Sequence, residues 1–138
     1  MNKMEDMYPL IIESFNNNLT FTFPIKGTSM VPILHTNDKV TIKKIDSRLK
    51  KGDIALYRRD SGQFVLHRVR KVCKDSYIFV GDHQYKVEKG IKEANLIGLV
   101  ISYNKNNKEY KMNNFKYKLY KLFVRIGLVR MIFGRFFK

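Results

Sequence analysis

The chain has 138 residues, of which 44% are hydrophobic and 13% aromatic, and its formal net charge is +15. This length suits one domain with one core, and the apolar content excludes a disordered polypeptide. The single cysteine excludes an internal disulfide framework and a cysteine-based zinc site. No apolar run approaches the roughly 18 residues of a membrane-spanning helix.

Residues 1–16 predict a short N-terminal helix, because apolar side chains such as Leu10 and Ile11 recur at helical spacing. A run of three asparagines then ends the helical pattern. Glu5 and Asp6 precede the apolar residues and no small-residue cleavage site follows them, so the segment does not resemble a signal peptide. We therefore expect a cytoplasmic protein.

Six short β-like runs follow the predicted helix. Their apolar residues alternate with polar ones or form short blocks, and Gly, Asn, Asp and Ser separate the runs. They comprise residues 19–26, 39–45, 53–57, 63–72, 76–80 and 96–103. Such a series predicts a mainly β fold, a small antiparallel barrel-like domain that we place at residues 1–114.

Residues 115–138 predict an amphipathic C-terminal helix that holds seven of the fifteen net positive charges and no acidic residue. One interpretation is a helix packed on the β core with its basic face in solvent. The missing acidic residues favour a second interpretation, peripheral contact with an anionic membrane at its inner face. The predicted membrane contacts are Lys118, Lys121, Arg125, Phe133, Phe136 and Phe137.

A serine stands in the loop after the first predicted strand, in the segment Gly27-Thr-Ser-Met-Val-Pro32. Pro32 has a fixed φ and no N–H group, so neighbouring backbone donors stay available to a substrate oxyanion. Taken alone, Ser29 is more typical of an ordinary turn residue than of a nucleophile.

Histidine and carboxylate residues further along the chain supply the other groups that a serine nucleophile needs. His67 lies in a predicted strand, and imidazole is the commonest base for activating serine, although a strand histidine is more often structural. Asp82 follows Gly81, and Glu88 comes six residues later. Either carboxylate could orient an imidazole.

Four motifs in this order resemble the signal peptidase I family, in a superfamily that also contains the self-cleaving SOS repressors. They run between about Phe23 and Val100, over half of the chain. The motifs are Ser29-Met30-x-Pro32, Gly52-Asp53-Ile54, His67-Arg68-Val69 and Gly81-Asp82. A histidine in place of the bacterial-type lysine is similar to the endoplasmic-reticulum and sporulation type.

The resemblance implies a serine endopeptidase in which Ser29 is the nucleophile and His67 is the base and then the acid. It implies that Asp82, or Glu88 at about the position of a second family aspartate, faces His67. The Ser29 N–H would be an oxyanion donor, with Met30 and Pro32 as supporting residues. The bacterial type has a further hydroxyl donor two residues before the nucleophile, where this chain has Gly27.

Two departures from the family bear on the substrate. Signal peptidases of this type carry an N-terminal transmembrane helix, which this chain lacks, and His83 stands where the family has a small residue or asparagine. We therefore expect a peptidase with a different peptide or protein precursor as its substrate. The leader of a small ribosomally made peptide is the candidate that we favour.

Two other function classes fit the composition. The basic β domain could be an inactive peptide-binding protein, or it could hold single-stranded nucleic acid through phosphate contacts and stacking. We predict no cofactor and no specific nucleic acid. We also predict no metal, because the three histidines lack metal-ligand spacing. His35 is expected to be a solvated loop residue and Cys73 an inert one.

Overall fold

The computed structural model describes residues 3–27, 34–82 and 86–112. In chain order these form α1 (Lys3–Asn16), β1 (Phe21–Pro24), β2 (Lys39–Lys43), β3 (Ile54–Arg58), β4 (Phe64–Val72), β5 (Tyr77–Val80), β6 (Glu88–Ile91), a 3₁₀ turn (Glu93–Asn95), β7 (Leu96–Lys105) and β8 (Lys108–Lys111). The predicted mainly β fold with an N-terminal helix is confirmed. The predicted C-terminal helix of residues 115–138, with its membrane contacts, lies outside the described residues.

Helix α1 forms where the sequence predicts it and packs one apolar face on the sheet. Ile11 and Phe15, four residues apart, are buried on that face, whereas Leu10 is 53% exposed. The helix ends because Asn18 adopts a left-handed φ of 58°. The Leu19 N–H then donates to the Ser14 carbonyl at 2.8 Å, which satisfies a carbonyl at the helix end.

All the paired strands are antiparallel, and they form one sheet in the order β1-β2-β7-β3-β4-β5-β6, with β8 also pairing with β7. In the described part of the chain β1 and β6 are the two ends of this order, so the sheet is open. The long strand β7 carries both β3 and β8 on one side, at successive positions along its length.

Strands β6 and β8 are absent from the sequence prediction. Both segments are rich in lysine and glutamate, and β6 contains a glycine, so neither has the apolar alternation on which a strand prediction depends. They form because backbone pairing with β5 and β7 at the sheet edges does not require buried side chains.

Strand β3 separates two apolar cores, since its side chains alternate between the two faces of the sheet. Ile54 and Leu56 belong to the first core, with α1, β1 and β2. Ala55 and Tyr57 belong to the second core, with residues of β4 and β5. This division matters for function because neighbouring residues of β4 face different cores.

Candidate active site

The predicted nucleophile follows β1 at the edge of the sheet. Beyond β1 the Ile25 N–H still donates to the Asp38 carbonyl at 2.9 Å, so the chain stays attached to the segment before β2. Gly27 then adopts a φ of +91°, in the left-handed region that favours glycine. The next predicted site residues lie outside the described residues, and their roles stay predictions: Ser29, Met30 and Pro32.

His67 lies in the middle of β4, directly opposite Ala55 of β3. Val65 and Val69, two positions away on either side, belong to the second core. Side chains two apart in a strand share a face, so the imidazole also faces the second core. The residue is only 8% exposed. Pairing with β3 and burial against the second core therefore hold the imidazole in a largely dry environment.

Burial lowers the pKa of His67 from its usual 6.5 to about 4, and the positive charge of Arg59 acts in the same direction. The carboxylates of Glu88 and Asp82 favour the charged imidazole, but their effect is smaller. At neutral pH the ring is therefore uncharged. An uncharged imidazole has a nitrogen lone pair, which is the requirement for a general base.

Arg68, the next residue, faces the opposite side of β4 and binds Asp82. Its Nε and Nη2 donate to the two Asp82 oxygens at 2.7 and 2.8 Å. The two side chains are 1% and 0% exposed, respectively. Such a bidentate pair is among the stronger polar contacts in proteins. Both oxygens of the predicted catalytic aspartate are thus engaged by an arginine.

Arg68 also connects three of the four sequence motifs. Its Nη1 donates to the Gly52 carbonyl at 2.8 Å, while its other nitrogens hold Asp82. Gly52 is buried and has a φ of +95°, so a side chain at this position would strain the turn that presents the carbonyl. These three motifs therefore meet at the buried Arg68 side chain, one residue after His67 in β4.

Glu88, the second predicted carboxylate, lies on the same side of the sheet as the imidazole. The Tyr57 hydroxyl donates to Glu88 Oε1 at 2.7 Å, and Arg59 Nε donates to Oε2 at 2.9 Å. Burial raises the pKa of Glu88, but hydrogen bonds from Arg59 and Tyr57 lower it by more. Glu88 is therefore held as a carboxylate.

Tyr57 joins this carboxylate to the imidazole. Its Oη lies 3.4 Å from His67 Nδ1, and the two rings meet edge to face with centroids 6.3 Å apart. Burial and the hydrogen bond to Glu88 raise the pKa of Tyr57, so the phenol keeps its proton at any physiological pH. In the described residues neither carboxylate contacts His67 directly.

Sequence reasoning missed three residues that shape this site: Tyr57, Arg59 and Arg68. Arg68 stands inside the His-Arg-Val motif, so its position was the available signal. Tyr57 and Arg59 offered none, because a tyrosine at a strand end and an arginine before a turn are ordinary residues at those places. Only the pairing of β3 with β4 and of β5 with β6 assembles them.

The lesser candidates lie apart from this cluster. His35 is exposed and accepts a hydrogen bond at Nδ1 from Lys105 Nζ at 2.6 Å. Cys73 is a half-buried thiol with no disulfide. Within residues 3–27, 34–82 and 86–112, no three His, Cys, Asp or Glu residues cluster as a metal site requires. In the same residues no helix is long and apolar enough to cross a membrane.

A family model described as Peptidase S24-like matches residues 1–101, which include α1, the cluster around His67 and most of β7. The chain belongs to the Peptidase S24-like family. This is a serine peptidase family, so the predicted superfamily of serine peptidases and SOS-type repressors is confirmed at that level. The match is not to signal peptidase I itself. No curated protein sequence matches the chain.

Proposed function

We propose that this S24-like protein is a serine endopeptidase that cleaves a peptide or protein precursor, with Ser29 as nucleophile and His67 as general base. The favoured substrate class is the leader of a small ribosomally made peptide. Membership of a serine peptidase family supports the reaction type. The substrate class is an expectation from the sequence alone.

The observation that carries the proposal is the state of His67. Burial keeps its pKa near 4, so the ring is neutral at physiological pH, and the pairing of β4 with β3 fixes its backbone position. A peptidase needs an uncharged nitrogen to remove the proton from a serine hydroxyl.

The proposed reaction follows the general serine–histidine scheme. His67 takes the proton from Ser29 Oγ as this oxygen attacks the scissile carbonyl, and the Ser29 N–H donates to the developing oxyanion. The imidazolium then gives the proton to the leaving amine as the C–N bond breaks. Water, activated by the same imidazole, hydrolyses the acyl-enzyme and regenerates Ser29.

Purified full-length protein and synthetic precursor peptides encoded beside its gene provide the test, with products identified by mass spectrometry. We expect cleavage at one bond, loss of cleavage in Ser29→Ala and His67→Ala, and full activity in Ser47→Ala, an exposed serine in the loop before β3. Cleavage of no precursor, or unchanged cleavage in either site variant, would refute the proposal.

The segment of residues 115–138 is proposed to bring the enzyme to anionic membranes through Lys118, Lys121, Arg125, Phe133, Phe136 and Phe137. The support is its charge, seven basic residues and no acidic one, next to aromatic side chains. The full chain should sediment with vesicles containing phosphatidylglycerol, and not with pure phosphatidylcholine vesicles. A chain ending at residue 114 should stay in the supernatant; sedimentation of this shorter chain contradicts the proposal.

A further inference from the structure

Three side chains form a continuous polar path from the second core to solvent: His67, Tyr57 and Glu88. His67 and Tyr57 are 8% and 0% exposed, and the side chain of Glu88 is 28% exposed. The path runs from His67 Nδ1 to Tyr57 Oη over 3.4 Å and from Tyr57 Oη to Glu88 Oε1 over 2.7 Å. Arg59 closes the outer end by binding the carboxylate.

The direction of the hydrogen bonds follows from the number of protons available. An ionised carboxylate only accepts, so the single Tyr57 hydroxyl proton points to Glu88. Tyr57 Oη therefore has only lone pairs to offer His67. A contact with Nδ1 is favourable only when that nitrogen carries a proton, which leaves Nε2 of the neutral ring unprotonated.

We propose that Tyr57 and Glu88 are positioning residues that hold His67 in the Nδ1-protonated tautomer and so keep its Nε2 lone pair available to the Ser29 hydroxyl. The catalytic half of this inference rests on the proposed function. The tautomer half stands on the geometry alone. The distance of 3.4 Å between Tyr57 Oη and His67 Nδ1 is long for a hydrogen bond. We expect it to shorten when the ring becomes an imidazolium, because charge-assisted hydrogen bonds are shorter.

Asp82 is not placed to perform this task. Both of its oxygens bind Arg68, and Arg68 and His67 are adjacent in β4, so their side chains leave opposite faces of the strand. The charge of Asp82 still reaches the imidazole and favours its protonated form. Two carboxylates thus share the role of the acidic residue in a serine–histidine–acid triad. Glu88 orients the imidazole through Tyr57, and Asp82 affects it only through its negative charge.

The second core contains a matched pair for the experiment. Tyr77, which is as buried as Tyr57, donates its hydroxyl proton to Glu93, and within the described residues it makes no hydrogen bond or ring contact with His67. The variants Tyr77→Phe and Glu93→Gln therefore remove the same chemical groups from the same core without touching the tautomer. They report the cost of losing a tyrosine–carboxylate hydrogen bond elsewhere in the fold, and Tyr77→Phe also removes the acceptor of the Leu49 N–H.

The first measurement needs no substrate. Protein labelled with ¹⁵N-histidine is examined by long-range ¹H–¹⁵N NMR at pH 7, and His67→Gln identifies the His67 signals among the three histidines. We expect the Nδ1–H tautomer in the wild type, in Tyr77→Phe and in Glu93→Gln. A wild-type ring protonated at Nε2, or an equal mixture, overturns the inference.

The variants at the site should change the tautomer. Tyr57→Phe removes the acceptor and should give a mixture. Glu88→Gln supplies an amide N–H to Tyr57 Oη, which turns the phenol proton towards Nδ1 and favours the Nε2–H form. Glu88 is partly exposed, so this variant should fold even if Tyr57→Phe does not. A tautomer unchanged in Glu88→Gln overturns the role of the pair.

Cleavage of an identified precursor gives the second measurement. Reversing the tautomer in a serine–histidine–aspartate site lowers kcat on the order of 10⁴-fold, and we expect Glu88→Gln to approach that loss with KM unchanged. Tyr57→Phe should lose at least about 10-fold in kcat. If the wild type shows the Nδ1–H tautomer but Ser29→Ala still cleaves, only the proposed function is refuted. Wild-type rates in Glu88→Gln overturn the positioning role.

Discussion

Two arginine–carboxylate pairs lie on either side of β4, and they differ mainly in their access to water. Arg68 and Asp82 are 1% and 0% exposed, whereas Arg59 and Glu88 are 34% and 28% exposed. The buried pair connects the turn before β3, the middle of β4 and the end of β5. The outer pair ends a hydrogen-bonded path that begins at His67.

The difference shows how similar ion pairs serve different purposes. A buried pair with no water to replace a lost partner is costly to break, so it suits a clamp that fixes strand positions. A pair in contact with solvent contributes little to folding, yet its charges still act on a dry imidazole a few ångströms away. We therefore infer that Arg68 and Asp82 support the fold beneath the site, and that Arg59 and Glu88 adjust its chemistry.

The largest effect is expected from breaking the buried pair. Arg68→Met leaves the Asp82 carboxylate buried without its partner and removes the donor to the Gly52 carbonyl. We expect a loss of about 3–5 kcal/mol in the free energy of unfolding, measured by urea denaturation.

The double variant Arg68→Met/Asp82→Ala is the control for this prediction. Removing both charges leaves no unpaired buried carboxylate, so the double variant should be more stable than Arg68→Met alone. A loss below about 1 kcal/mol in the single variant would place the pair in the same class as an exposed one.

An intermediate effect is expected for the pH dependence of stability. The pKa of His67 is about 4 in the folded chain and near 6.5 when unfolded. Between these values the unfolded chain binds a proton that the folded chain does not. Stability should therefore be highest above pH 6.5 and fall as the pH decreases to 4, by about 3 kcal/mol in total.

His67→Gln isolates this contribution, because the other titrating groups are common to both proteins. The difference between wild type and variant, measured by urea denaturation at each pH, should change across the window from pH 6.5 to 4 and be constant outside it. A constant difference throughout the window would mean that the folded imidazole titrates as it does in water.

The smallest effect on stability is expected at the outer pair. Arg59→Met should change the free energy of unfolding by only about 0–1 kcal/mol. The same substitution removes a positive charge that lowers the pKa of His67, so this pKa should rise. An NMR titration of the His67 ring protons measures it directly, and the acid limb of kcat/KM should move to higher pH with it.

Lys43→Met, at the end of β2 and outside this cluster, provides the control for Arg59→Met, because Lys43 is a half-buried lysine that pairs with Leu99 of β7. It removes one positive charge from the protein without approaching His67. If both substitutions change the pKa of His67 equally, the influence of Arg59 is a general effect of net charge and not a contact within the site.

Much of the fold was predictable because its signals are local. Short β-like runs bounded by turn residues predicted β2, β3 and β5, and the asparagine run predicted the end of α1. Strands β6 and β8 were not predictable, since lysine-rich edge segments owe their conformation to the strand beside them. The open order of the sheet depends on the same long-range pairing.

The candidate site was predictable only in part. The motif residues His67, Asp82 and Glu88 could be selected from the sequence, but their partners could not. Asp82 or Glu88 was expected to face the imidazole, and the oxygens of Asp82 bind Arg68. One position along a strand reverses the face on which a side chain lies, so adjacent motif residues lead to different cores.

The sequence by itself determined the residue types: a histidine within a strand, carboxylates after later strands and a basic C-terminal segment. These features could be predicted because composition and periodicity are properties of the chain alone. Tertiary structure decided which carboxylate serves which cation, and that a tyrosine from β3 lies between His67 and Glu88. These contacts join residues 10 and 31 positions apart. Their geometry depends on strand register and burial, which no local pattern encodes.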